Sequence, residues 1–139
     1  MRHQHKCIKT LIEGLDAQLD EKTKAEILEK CGRACIPRSF IAKAKACKKD
    51  AKDMDEFLNN LGQVWKHLHR DGDNLYVIYE KCYCPLVNKD SEKLQRTFCN
   101  CSRGWIKELF ESVLEKAVQV ELEKSIKTGD NTCKFRVRL

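Results

Sequence analysis

The sequence predicts an α+β fold: N-terminal helices packed on an antiparallel β-sheet, with a C-terminal β-hairpin. Three observations predict it. Apolar residues recur at steps of three and four through much of 1–72. A β-branched and aromatic run, L-Y-V-I-Y, follows at 75–79. Strict period-two alternation then governs 118–126 and 133–139, on either side of a Gly-containing turn. At 139 residues the chain is one domain by length, 1–72 mainly helical and 73–139 a strand, a Cys-rich loop, a helix and a hairpin.

The helices follow in order. Residues 7–19 place Ile8, Leu11, Ile12, Leu15 and Leu19 at helical spacing, with an H-x-H pair, His3 and His5, ahead of them. Residues 22–36 set Ala25, Leu28, Cys31 and Cys35 on one face before Pro37 ends the helix. Cys31 and Cys35 lie one turn apart, placed to ligate or react together, or to fill core as small hydrophobes. Residues 39–50 carry Phe40, Ile41, Ala44 and Cys47 on one side. Asp53-x-x-Glu56 reads as a capping box opening a helix over 53–69, with Met54, Phe57, Leu58, Leu61, Val64, Trp65 and Leu68 as its stripe. His67 and His69 then fall in its last turn, and Asp71-Gly72-Asp73-Asn74 is a turn.

The second half is predicted as follows. Leu75–Cys82 is a strand that Pro85 stops, 86–96 a loop, and Thr97-Phe98-Cys99 a short returning strand. Ser102 is the expected N-cap of a helix whose buried stripe is Trp105, Ile106, Leu109, Phe110, Val113 and Leu114. In the hairpin, Cys133, Phe135, Val137 and Leu139 face inward, opposite the polar Lys134, Arg136 and Arg138.

Composition narrows the function classes. The chain is 42% hydrophobic and 35% charged, in the range of soluble globular proteins. No apolar run reaches the roughly 18 residues of a membrane span, and the N-terminus lacks a signal-peptide core, so a cytoplasmic location and no membrane contact are expected. Net charge is +6, densest at Lys43–Lys52, but no nucleic-acid motif accompanies it; the run reads as a solvated helix face and no nucleic-acid partner is expected. In a reducing compartment the nine cysteines are buried, metal-bound or reactive before they are disulfides.

The chemistry concentrates at Cys82–Cys101, which holds two Cys-x-Cys pairs, Cys82/Cys84 and Cys99/Cys101. In extended backbone, residues two apart point the same way, so each pair can offer two sulfurs to one point. Four thiolates are the ligand set of a structural zinc or an iron–sulfur site, and zinc is the expected cofactor of the two. The N-terminus of the helix that follows carries partial positive charge, which favours thiolate at Cys99 and Cys101. Trp65, Tyr83, Phe98 and Trp105 are the aromatic residues expected near a small-molecule pocket between helix and sheet, or as plain core.

Several of these stretches resemble the 4-vinyl-reductase-like small-molecule-binding superfamily, in the branch of L-2-amino-thiazoline-4-carboxylic acid hydrolase-like proteins. The resemblance is carried by V-E-L-E-K-S-I-K-T-G-D-N-T-C-K-F-R-V at 120–137, whose Gly129, Cys133 and Phe135 match G-x-x-x-C-x-F. C-x-C-x-x-G at Cys99, Cys101 and Gly104, and E-K-C-G-R-A-C at 29–35, add to it. The resemblance implies helices on an antiparallel sheet and pairing as a homodimer, expected here through the N-terminal helices. In phenol-sensing regulators of that superfamily zinc sits on three cysteines and a glutamate, which implies Cys133 and one of Cys99 or Cys101 as ligands. The third Cys position falls on Ser125 and the Glu position on Leu122, between Glu121 and Glu123, so Cys82 and Cys84 stand as substitutes.

Two function classes follow. The first is a small-molecule-binding or sensor-type domain with zinc on Cys82, Cys84, Cys99 and Cys101, Cys133 being the nearest replacement ligand. The second, implied by the resemblance alone, is a hydrolase using a cysteine nucleophile or metal-activated water. No Ser–His–Asp or H-E-x-x-H pattern accompanies it, and four histidines leave little general-base capacity. The C-x-x-C redox motif is absent.

Overall fold

A computed structural model of the chain describes residues 2–79, 100–124 and 133–139. Five helices and four strands follow in the order α1 (Arg2–Gln18), α2 (Glu21–Cys35), α3 (Arg38–Lys49), α4 (Met54–Val64), β1 (Leu68–Asp71), β2 (Asn74–Tyr79), α5 (Asn100–Leu114), β3 (Gln119–Lys124) and β4 (Cys133–Arg138). The strands form one antiparallel sheet of order β1-β2-β4-β3. The α+β class and the C-terminal hairpin are as the alternation required.

Local chemistry sets the helix starts. Asp20 caps α2 by accepting the Thr23 N–H at 2.8 Å, and Asp53 caps α4 by accepting the Glu56 N–H at 2.9 Å. Pro37 precedes α3, where its missing N–H costs nothing.

One helix is shorter than its stripe predicts. The apolar spacing runs to Leu68, yet α4 stops at Val64 and Leu68 is the buried first residue of β1. Asp71-Gly72-Asp73-Asn74 is therefore a hairpin turn between β1 and β2, and Gly72 supplies its left-handed φ of 60°. His67 and His69 thus lie at β1, not in a helical last turn; His67 Nδ1 is 3.2 Å from the Ile78 carbonyl oxygen. Trp65 and Leu68 are three residues apart and so extend the helical stripe, but pairing of residues 68–71 with 74–77 makes Leu68 a strand residue.

The core lies between the sheet's inner face and α3, α4 and α5. Ile41, Ala44, Phe57, Leu61, Ile106, Leu109 and Phe110 meet Leu75, Val77, Val120, Phe135 and Val137 there. Phe135 and Val137 face inward as expected, while Leu139 at the strand's end is 39% exposed. Val64 and Met54, expected in the α4 stripe, are also largely exposed. Below the core α1 packs on α2, where the ammonium of buried Lys24 lies 3.1 Å from Asp16 and also reaches Glu21.

The most extensive pairing of helices among the described residues joins α2 to α5. Glu29 on α2 meets Arg103 at 3.2 Å and Lys107 at 2.8 Å on α5; Arg33 meets Glu108 at 3.1 Å and Glu111 at 2.9 Å. Glu111 also accepts the Val118 N–H at 3.0 Å, tying α5 to the start of β3. Partial burial raises its carboxyl pKa, but the hydrogen bonds from Arg33 and Val118 outweigh that and hold it below the ordinary 4.5. A depressed folded-state pKa stabilises the fold above the unfolded value and loses that contribution as pH falls through the folded value. Acid should therefore weaken the fold from about pH 4.5 downward, and Glu111→Gln should flatten that limb in urea melts at stepped pH. An acid limb identical in the variant would show that Glu111 does not carry it.

Candidate functional site

Of the predicted metal ligands, Cys101 and Cys133 are described; Cys82, Cys84 and Cys99 lie outside the described residues, as do Tyr83, Phe98 and the Thr97–Cys99 strand. Cys133 opens β4 directly opposite Tyr79, the last residue of β2. It is half-buried against the core. Burial, and then the electrostatic influence of the neighbouring Cys133, push the Tyr79 phenol above its ordinary value. The His67 ring stands 4.7 Å from the Tyr79 ring, which extends the polar edge of this corner.

Cys101 corrects the expectation for its pair. The helix begins at Asn100, so Cys101 and Ser102 are both helical and Ser102 is not the cap. Cys101 therefore lies outside the extended backbone that would point two sulfurs one way, and its half-buried side chain leaves from the first turn of α5. What places that turn is a pair of glycines. Gly32 of α2 lies against the backbone of Cys101 and Trp105, and Gly104 of α5 lies against the backbone of Glu29. A glycine on each helix, set against the other's backbone, lets the two approach more closely than any side chain allows.

The same crossing overturns a second expectation. The spacing sets Ala25, Leu28, Cys31 and Cys35 on one face, with core filling as one of the two readings of the cysteines. The buried residues are instead Lys24, Leu28 and Gly32, and both Cys31 and Cys35 are exposed. Packing follows the glycine that admits α5, which rotates the apolar-looking cysteines outward. A glycine inside a helical stretch is the available signal, because it costs about 1 kcal/mol there unless packing requires it.

Trp65 and Trp105 do come together, with ring centroids 5.7 Å apart, and Phe40 stands 5.7 and 5.5 Å from them. Trp65 is buried, and half-buried Trp105 packs on the same core. Two clefts open elsewhere. One of about 360 Å³ lies between the start of α4 and the sheet end, lined by Met54, Leu58, Arg70, Arg136 and Leu139 among others. The other, about 290 Å³, lies between Lys45, Lys48 and Lys49 of α3 and the end of α5. Neither is lined by a tryptophan. Among the described residues no three His, Cys, Asp or Glu side chains converge as a metal-ligand set. A four-thiolate centre therefore needs donors from Cys82, Cys84 and Cys99.

The whole chain, residues 1–139, matches the model of a family of unknown function, DUF6144, and belongs to that family. No curated protein matches it. No described helix is long and apolar enough to cross a membrane.

Proposed function

We propose that the chain is a small-molecule-binding or sensor-type domain of the 4-vinyl-reductase-like kind, built around a cysteine-rich zinc site. One observation carries the reading. The segment holding Cys82, Cys84 and Cys99 lies in sequence between β2, which is described to Tyr79, and α5, which is described from Asn100, and a described cysteine stands at each flank: Cys133 opposite Tyr79, and Cys101 in the first turn of α5. Cys82 follows Tyr79 by three residues and Cys99 precedes Cys101 by two. Thiolates from one segment and its two flanks are the donor chemistry that structural zinc selects over harder ions. Zinc held there would supply folding free energy to the segment it ties down. An iron–sulfur cluster is the less favoured occupant, and the hydrolase reading has no observation in its favour. The reducing compartment of a cytoplasmic protein keeps the thiols available.

The pairing proposed for the family follows the same reading. Leu11 on α1 and Ile27 on α2 are exposed apolar side chains on the helices expected to form a homodimer. Metal analysis of purified chain tests the site: about one zinc per chain, with Cys82→Ser, Cys84→Ser and Cys99→Ser each lowering occupancy and thermal stability together. Metal-free chain with full thiol reactivity and unchanged melting after chelation would overturn it. Sedimentation of the same sample at tens of micromolar checks the dimer.

A further inference from the structure

We propose that Cys31 and Cys35 of α2 form a second thiol site, independent of the zinc reading, for a soft ion or centre that accepts two thiolates. Cysteine is among the most often buried residue types, yet both of these are exposed. They lie one turn apart on a continuous helix that ends at Cys35. That spacing sets what they can do. Helix neighbours at i and i+4 have Cβ atoms about 5–6 Å apart. A disulfide needs roughly 3.5–4.5 Å, so the helix keeps the two thiols from closing on each other. Two sulfur–metal bonds of about 2.3 Å bridge sulfurs about 4 Å apart, which side-chain rotation reaches without moving the backbone.

The helix cannot easily yield to bring the sulfurs closer. Gly32 lies between the two cysteines in sequence and is pressed against the Cys101 and Trp105 backbone. Arg33, also between them, is fixed by Glu108 and Glu111 of α5. The turn bearing the dithiol is thus clamped from its opposite side. Among the described residues no third His, Cys, Asp or Glu completes a metal-ligand set here. A two-donor site of thiolates does not satisfy tetrahedral zinc; it suits ions content with two soft ligands, such as Cu(I), or arsenic(III) bearing one organic group.

Phenylarsine oxide is the probe. The arsenic–oxygen bond is exchanged for two arsenic–sulfur bonds, both thiol protons leave with the oxygen as one water, and arsenic stays trivalent. The native chain is incubated with one equivalent, alkylated with iodoacetamide, and mapped by mass spectrometry. Cys31 and Cys35 should be protected together, while exposed Cys7 is alkylated. In Cys31→Ser, Cys35 should lose at least tenfold of its protection, and in Cys35→Ser, Cys31 likewise, with helical circular dichroism and zinc content unchanged. Alkylation of Cys31 and Cys35 at the rate of Cys7 would overturn the site. So would protection that persists in the single variants, a Cys31–Cys35 disulfide under mild oxidation, or zinc lost from either variant, which would make these cysteines part of the other centre.

Discussion

Gly32→Ala and Gly104→Ala are each expected to destabilise the chain by about 3 kcal/mol or more, the upper end of overpacking costs. A Cβ at position 32 would overlap the carbonyl oxygen of Cys101 and stand 2.8 Å from the Trp105 nitrogen; one at 104 would overlap the carbonyl of Glu29. The obstacles are backbone, so no rotamer change relieves them, and the helices must separate. Separation stretches the Glu29 and Arg33 ion pairs and moves the turn that carries Cys101. Against this stands the helix-propensity gain of Gly→Ala, only about 1 kcal/mol. Gly14 in α1 and Gly62 in α4 provide the contrast, because nothing lies within 4 Å of a Cβ at either. Alanine there should stabilise by about 0.5–1 kcal/mol. Urea melts of the four variants read out both signs. The crossing also predicts non-additivity: once Gly32→Ala has parted the helices, Gly104→Ala should cost less than it does alone. Neutral or stabilising effects at 32 and 104 would show that the close approach is not what holds α2 on α5.

That crossing also marks the limit of what the sequence makes legible. Periodicity locates all five helices and the C-terminal hairpin, because amphipathic spacing is a local property. It places Phe57, Leu61, Ile106, Leu109, Phe110, Phe135 and Val137 inward, and they are buried. It fails where a choice depends on another segment. Trp65 and Leu68 continue the helical spacing, yet the pairing of residues 68–71 with 74–77 ends the helix early and makes Leu68 a strand residue. On α2 the apolar count favours the cysteines, whereas the face is set by which residue lets α5 approach. Cys101 reads as part of an extended pair because C-x-C spacing alone does not tell strand from helix, and Cys101 lies in the first described turn of α5. Of the candidate site, the anchors at Cys101 and Cys133 are now placed relative to the fold. Their convergence with the loop cysteines is a question of tertiary geometry that spacing alone does not answer.

Phe135→Ala should cost about 3–5 kcal/mol, the range for removing a fully buried aromatic side chain. Phe135 is 1% exposed and stands in β4 between Val77 of β2 and Leu122 of β3, so three strands share it. Its ring meets the Tyr79 ring edge-on at 6.3 Å, and it belongs to the same core as Leu109 and Phe110 of α5. The loss has two parts, the transfer of a large apolar surface and the cavity left in a sheet held rigid by pairing on both sides. A position two residues away separates burial from strand position: Cys133 on the same strand is only half-buried, so Cys133→Ala should cost far less if packing alone counts. A zinc site that uses Cys133 changes that expectation, since the substitution then removes a ligand and should lower metal content as well as stability. Chemical denaturation of both variants, with and without a chelator, resolves the two contributions. A Phe135→Ala loss below about 1 kcal/mol would mean that the sheet's inner face repacks around the gap. A Cys133→Ala loss that disappears on chelation would place that cysteine on the metal and leave Phe135 as the packing centre of the strand.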